Sequence, residues 1–253
     1  MAAILAAVPL FGCMQWSPFE TDVDDADRDV TEQNLRALSA RSPAGPSWAF
    51  AVISDSHGDH DGLAAVVDAI DARRDVSFVV HLGDLSDDGL LVEYETTLRL
   101  LRRLPIPFFV LLGNHDTFSN GREIYARMFG VTNFVVPYGG ARILCFDSNA
   151  DATGDVRTDR SWLASQVAEA GPDDLLIYAS HSDREADLAV PDLRTRLVLY
   201  GHLHRAEFGI RGRVQVVGIP APAERTYDRV DVTDANVTLS RCDRSTCRAL
   251  DPG

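Results

Sequence analysis

The chain has 253 residues, of which 45% are apolar and 25% charged, enough for a single α/β unit with a sizeable core. Its formal charge of −14 offers no basic field to a nucleic-acid backbone, which argues against nucleic acid as a binding partner. Phosphate chemistry at one local site remains open.

Residues 1–13, "MAAILAAVPLFGC", are apolar throughout and too short to span a bilayer. They resemble the hydrophobic region of a secretory signal ending in a bacterial lipobox, with Leu10, Gly12 and the lipid acceptor Cys13 in place. That signal/lipobox reading puts the protein in the bacterial cell envelope, with membrane attachment through lipidated Cys13. A short apolar tail on a cytoplasmic protein is the alternative, since no Lys or Arg precedes the run and Phe11 is bulky for its place. Residues 14–46, with "TDVDDADRD" and "SPAGPS", read as an acidic tether carrying one short helix about "TEQNLRALSA".

From residue 47 to 253 the pattern is that of one domain. Continuous apolar runs at "WAFAVIS", "VSFVVHL", "PFFVLL", "DLLIYA" and "RLVLY" predict strands covered on both faces. Leu63, Val66, Val67 and Ile70 fall at helical spacing after the first run, as do Leu91, Tyr94, Leu98 and Leu101 after the second. Strand–helix–strand units of this length predict parallel pairing. "VVPYGGARILCFDS" reads as a hairpin about Gly139-Gly140 and "TDRSWLASQVAEAGP" as a helix, with antiparallel strands over the last fifty residues. Cys145 lies in an apolar run and reads as inert core. Cys242 and Cys247 stand at a spacing that a disulfide can close in an exported protein; two free thiols fit a cytosolic one.

The five apolar runs all end in residues of types that can ligate a metal. They finish in "SDSH" (Asp55, His57), "GDLSDDG" (Asp84, Asp87), "GNHD" (Asn114, His115), "SH" (His181) and "GHLH" (His202, His204). Parallel α/β sheets gather such C-terminal tips at one edge, where ligands bind. The pooled donors are imidazole nitrogens and carboxylate or amide oxygens, without thiolate, a set that suits ions of the Mn, Fe, Co, Ni and Zn class. They are too many for one ion and make two half-shells joined by a carboxylate, the arrangement that clamps in-line attack on phosphorus.

The ordered set D-x-H, G-D-x-x-D, G-N-H-D, a lone His and G-H-x-H resembles the calcineurin-like metallophosphoesterase family over about residues 47–205. The resemblance implies an αββα sandwich of two central mixed β-sheets flanked by helices. It implies two divalent or mixed-valence metal ions, one held by Asp55, His57 and His204, the other by Asn114, His181 and His202, with Asp84 bridging them. It also implies a bridging hydroxide as nucleophile, His115 as general acid to the leaving oxygen, and Asp87 orienting that imidazole. Two divalent ions outweigh the charges of Asp55, Asp84 and a hydroxide, so the site would stay locally positive within an acidic protein. The substrate would be a small phosphate mono- or diester. A metal-binding interaction scaffold that has lost catalysis is the alternative, and retention of His115 and Asp87 speaks against it.

Neighbouring residues have plainer readings. His81 reads as packed core and His60 as a solvent-facing residue at a helix start. Asp88, Asp116 and Asp183 read as carboxylates at helix starts or behind the ligands, and Arg205 as a surface arginine. Asp88 and Asp116 stand where protein serine/threonine phosphatases of the family have Arg and Glu, and Asp87 where purple acid phosphatases have Tyr. The "GNHD" form is more like the bacterial phosphodiesterase and phosphomonoesterase branches. Oligomeric state is not legible.

Overall fold

The first three apolar runs form β1 (Ser47–Ile53), β2 (Val79–His81) and β3 (Phe108–Val110), parallel neighbours in one sheet. The computed structural model describes residues 17–43, 45–149, 158–182, 192–233 and 236–250. The crossovers are helices α2 (His60–Arg73) and α3 (Leu91–Leu101). α2 starts where the Asp59 carboxylate accepts the Gly62 N–H and stops on Arg74 in left-handed conformation. Glu93, in the first turn of α3, accepts the N–H groups of Asp87, Asp88 and Leu90, which ties down the loop behind Asp84.

The second sheet holds β4 (Phe134–Tyr138), β5 (Ala141–Cys145), β6 (Leu175–Ala179), β7 (Thr195–Tyr200), β8 (Glu207–Arg211) and β9 (Val214–Gly218), in the order β4-β5-β6-β7-β9-β8. β5, β6, β7 and β9 run parallel; the β4–β5 hairpin turns at Gly139-Gly140 as its sequence predicts. The chain then returns to the first sheet as β10 (Tyr227–Thr233), β11 (Asn236–Cys242) and β12 (Cys247–Ala249), giving the order β12-β11-β10-β1-β2-β3. Both sheets are therefore mixed.

The two sheets face each other. Phe50, Val52, Phe78, Val80 and Phe109 of the first region pack with Val136, Ile143, Ile177, Leu199 and Val217 of the second in one buried cluster. Burying each such side chain contributes about 1.5–3 kcal/mol before entropy is charged against it. The outer face of the first sheet is covered by α2, α3 and α4 (Gly121–Met128), and that of the second by α5 (Arg160–Glu169). This is the expected αββα sandwich.

The N-terminal stretch differs from a tether. From residue 17 onward it lies against the domain, with Val23, Val30 and Leu38 buried in the two principal cores. α1 (Val30–Ser39) packs beside β3, and the Asn34 carboxamide oxygen accepts the Phe108 N–H at 3.3 Å. Arg102 binds Asp27 and the Ala26 carbonyl. Acidic composition suggested solvation; three apolar residues among the acids suffice to dock the segment. Residues 1–13 with Cys13, and Asp183, lie outside the described residues. No helix among the described residues is long and apolar enough to cross a membrane.

Candidate metal centre

Each proposed ligand sits within a few residues of a strand end. β1 leads into Asp55 and His57, β2 into Asp84, β3 into Asn114, β6 into His181, and β7 into His202 and His204. Ligand atoms of Asp55, His57, Asp84 and His204 lie within 4.8 Å of one another, as do those of Asp84, His181 and His202. The Asn114 amide oxygen lies 2.9 Å from His181 Nε2 and 2.8 Å from His202 Nδ1. All seven side chains converge, in two groups that share Asp84.

Local backbone geometry makes this possible. Asp55, His57, Asp84, His202 and His204 all adopt left-handed φ, between 42° and 69°, a region that costs a non-glycine residue about 1–2 kcal/mol. Leaving the strand this way turns each side chain sharply back toward the tips. Two glycines then admit close neighbours: a Cβ on Gly113 would come within 2.1 Å of Asp84 N and Oδ1, and one on Gly201 within 1.9 Å of Ser54 Oγ.

The polar groups meet in a pattern that calls for a cation. His181 Nδ1 is 2.9 Å from the Leu82 carbonyl oxygen, which can only accept, so Nδ1 carries the hydrogen. In a neutral ring Nε2 is then a lone pair, and it faces two acceptors, Asn114 Oδ1 at 2.9 Å and Asp84 Oδ2 at 3.2 Å. His57 Nε2 and His204 Nε2 face each other at 3.2 Å, and Asp84 Oδ2, buried without a hydrogen bond, is 3.5 Å from the former. Burial opposes a proton on His181, but Asp84, with Asp55 and the Leu82 carbonyl, outweighs it and lifts the ring to about 9. Burial likewise works against the Asp84 charge, and His181, the His115 N–H and His57 hold its carboxyl below the usual range. These residues fit a divalent ion of the nitrogen- and oxygen-preferring class.

His115 lies beside this centre, its ring 4.7 Å from that of His57. Asp87 orients it differently from expectation. The Asp87 main-chain carbonyl, not the carboxylate, accepts from His115 Nδ1 at 2.9 Å. The carboxylate instead stands 3.2 Å from His57 Nδ1, without hydrogen-bond alignment. The loop held by Glu93 turns the carbonyl, rather than the side chain, toward His115.

A family model for calcineurin-like phosphoesterases matches residues 49–206. The chain belongs to the calcineurin-like phosphoesterase family. As a member it is a metal-dependent hydrolase of the phosphoesterase class. A Synechococcus sp. protein named "Probable cyclic nucleotide phosphodiesterase" is 28% identical over 170 residues, 60% of this chain and 67% of that one. An Arcobacter nitrofigilis protein named "Probable glycerophosphodiester phosphodiesterase GpdQ" is 23% identical over 173 residues, 58% of this chain and 63% of that one. The chain thus spans about two-thirds or less of the length of these two relatives. The purple acid phosphatase PPD1 from yellow lupin seeds shares the fold, with a TM-score of 0.56 at 13% identity over 83% of this chain and 54% of that one.

Within this phosphoesterase the residues behind the ligands carry much of the geometry. Asp116 is fully buried and accepts the N–H groups of Asp84, Leu85, Ser86 and Gly113 together with the Ser86 hydroxyl. Burial and the neighbouring Asp84 charge push its carboxyl up to about 6. Tyr94 donates its hydroxyl to the Asp116 carbonyl at 2.8 Å and so supports the His115 loop from below. Sequence periodicity shows only that Tyr94 is buried; no sequence signal reveals its hydroxyl's partner. His81 is core, as expected: Gly83 N–H donates to Nδ1, and Nε2 is 2.9 Å from Ser56 Oγ. Burial drops its pKa to about 3. Arg205 pairs with Glu207 at 2.6 Å, and His60 is half-buried at the start of α2.

Proposed function

We propose that this chain hydrolyses phosphodiesters at a two-metal site, with Asp84 shared between the ions and His115 as the proton donor. The observation that carries the reading is Asp84 Oδ2, buried without a hydrogen-bond partner and placed between His181 Nε2 at 3.2 Å and His57 Nε2 at 3.5 Å. A shared carboxylate oxygen between two sets of lone pairs fits a bridging ligand better than any structural role. The named activity of the two relatives, phosphodiester cleavage in each, supports diesters over monoesters.

Bound divalent ions would acidify a water for attack on phosphorus and neutralise the phosphoryl oxygens. The chain's own residues do the rest. Asp55 and Asp84 fix the floor: the Asp55 carboxylate also accepts the His202 N–H at 2.9 Å, so moving either residue moves the other. His115 has its Nδ1 hydrogen committed to the Asp87 carbonyl, which leaves Nε2 as the atom that hands a proton to the departing oxygen. The donor is therefore the doubly protonated ring: as a water oxygen bonds to phosphorus and its proton passes to solvent, the P–O bond to the alcohol breaks, that oxygen takes the Nε2 proton, and the ring is left neutral with Nδ1–H on the Asp87 carbonyl.

The test is metal content and turnover of the full chain supplied with Mn, Fe, Zn, Ni or Co, assayed with a diester and a monoester of one chromophore. Two ions per chain and faster diester turnover are expected. One ion or fewer per folded, metal-supplied chain overturns the two-metal reading. Two bound ions without turnover of either ester would favour the interaction scaffold. We further propose an envelope location through Cys13, supported by the apolar 1–13 segment and by a Cys242–Cys247 disulfide; fractionation finding the chain only in cytosol overturns it.

A further inference from the structure

We infer that Phe118 is the wall against which the substrate's leaving group lies, and that the site therefore selects phosphoesters whose leaving alcohol carries a flat aromatic ring. The inference rests on the reading of His115 as proton donor to that alcohol.

Four rings run in file from the ligands outward. His204 and His57 have centroids 5.0 Å apart, His57 and His115 4.7 Å, and His115 and Phe118 4.9 Å. Phe118 is the outermost and is 45% exposed; among the described residues seven phenylalanines are buried, and Phe19, outside this file of rings, is the other exposed one. Leaving such a ring half in water forgoes burial that the fold uses elsewhere.

This is not the loose tip of a loop. The Phe118 N–H donates to the His115 carbonyl at 3.1 Å, and its own carbonyl accepts the Gly121 N–H at 2.7 Å. Gly89, at φ +70°, lies so close that a Cβ there would stand 2.2 Å from the Phe118 carbonyl oxygen. The main chain is thus fixed from both sides while the ring projects beside the acid. An alcohol whose oxygen takes the His115 proton must extend its substituent past one side of that imidazole. Two groups flank that imidazole: the Asp87 carboxylate, with an oxygen within 4.8 Å of a His115 ring nitrogen, disfavours an anionic substituent, and the uncharged Phe118 ring, 4.9 Å away, offers dispersion and ring packing but no hydrogen bond. A flat apolar group fits; a phosphate-bearing one does not. Nucleosides and aryl alcohols both carry such a ring.

The test compares Phe118→Leu and Phe118→Tyr with the wild type in metal-loaded full chain. Turnover is read with dibenzyl phosphate, bis(cyclohexylmethyl) phosphate and a nucleoside 5′-methyl phosphodiester, which separate flat from merely apolar groups and aryl from nucleoside sources. The wild type should favour benzyl over cyclohexylmethyl in kcat/KM by about 3- to 10-fold, the scale of one aromatic pair. Phe118→Tyr should keep that ratio and Phe118→Leu should bring it toward one. A ratio unchanged in Phe118→Leu, or equal falls for both esters, overturns the proposal; the second result would mean that the ring only props His115. Calorimetric binding of benzylphosphonate against methylphosphonate gives a readout without turnover. If no ester is hydrolysed, the phosphoesterase reading fails, and the binding preference with its loss in Phe118→Leu still decides the wall.

Discussion

The first sheet has two ends of opposite character. At its edge, β10 and β11 pair in unbroken register from Tyr227↔Cys242 to Thr233↔Asn236, and β12 closes the ladder with Cys242 bonded to Cys247. At the tips of β1, β2 and β3, Asp55, His57 and Asp84 sit in left-handed conformations with their side chains crowded together. Main-chain groups of the edge pair with one another along the ladder, donor to acceptor. Tip residues do not: lone pairs face carboxylate and amide oxygens, and Gly113 is pressed against Asp84. The edge ladder is closed by main-chain pairing and a disulfide, whereas the tips gather a donor set that fits a cation. Conformational strain is concentrated where a ligand can offset it.

The sharpest way to break this contrast is Asp84→Ala. Removing the shared carboxylate should release metal and lower turnover by about 10³-fold or more, the scale of losing a principal charge-stabilising group. Two ions retained per chain would refute the sharing. Gly113→Ala should reach a milder version of the same defect without touching a ligand, because its Cβ must displace the Asp84 backbone. His115→Ala should keep both ions and lose about 10²-fold or more with poor leaving groups, and less with good ones that need no proton. An equal loss across leaving groups would deny His115 the role of acid.

Much of the tip end was legible in the sequence because its chemistry is written in residue identity. Five apolar runs ending in Asp, Asn and His named the strands and the side chains that gather at their tips, and helical spacing placed α2 and α3. What was not legible depends on which atom of a residue does the work. Asp87 is in the right loop, yet its carbonyl rather than its carboxylate holds His115. Tyr94 reads as a core residue, and its hydroxyl under Asp116 is invisible to periodicity. The acidic stretch before residue 47 concealed Val23, Val30 and Leu38, since average composition outweighs three well-placed apolar side chains.

A smaller effect separates the metal tips from the core just behind them. His81 is buried and neutral, its Nδ1 accepting from Gly83 and its pKa held near 3 by burial. The unfolded chain protonates this ring below about 6.5, while the folded chain refuses the proton until about 3. Stability should therefore fall as pH drops from 6.5 toward 3, by about 1.4 kcal/mol per pH unit for this one group. His81→Gln preserves a donor for Ser56 and an acceptor for Gly83 but cannot titrate. Urea unfolding of metal-free protein at several pH values should show a shallower acid slope in the variant; identical slopes would mean that His81 is not held neutral.

The smallest effect belongs to the edge. Replacing Cys242 and Cys247 with serine opens a loop of only a few residues, so the loss in chain entropy is limited to about 2 kcal/mol. The β11–β12 register and the Asp243 carboxylate, which accepts the Ser245 and Thr246 N–H groups, already hold the turn without the bond. The double variant should lose a few degrees in Tm at most, with metal content and kcat unchanged. A fall in bound metal would show that the edge supports the tips across β10 and β1, and the division of the sheet into a self-sufficient end and a ligand-dependent end would have to be abandoned.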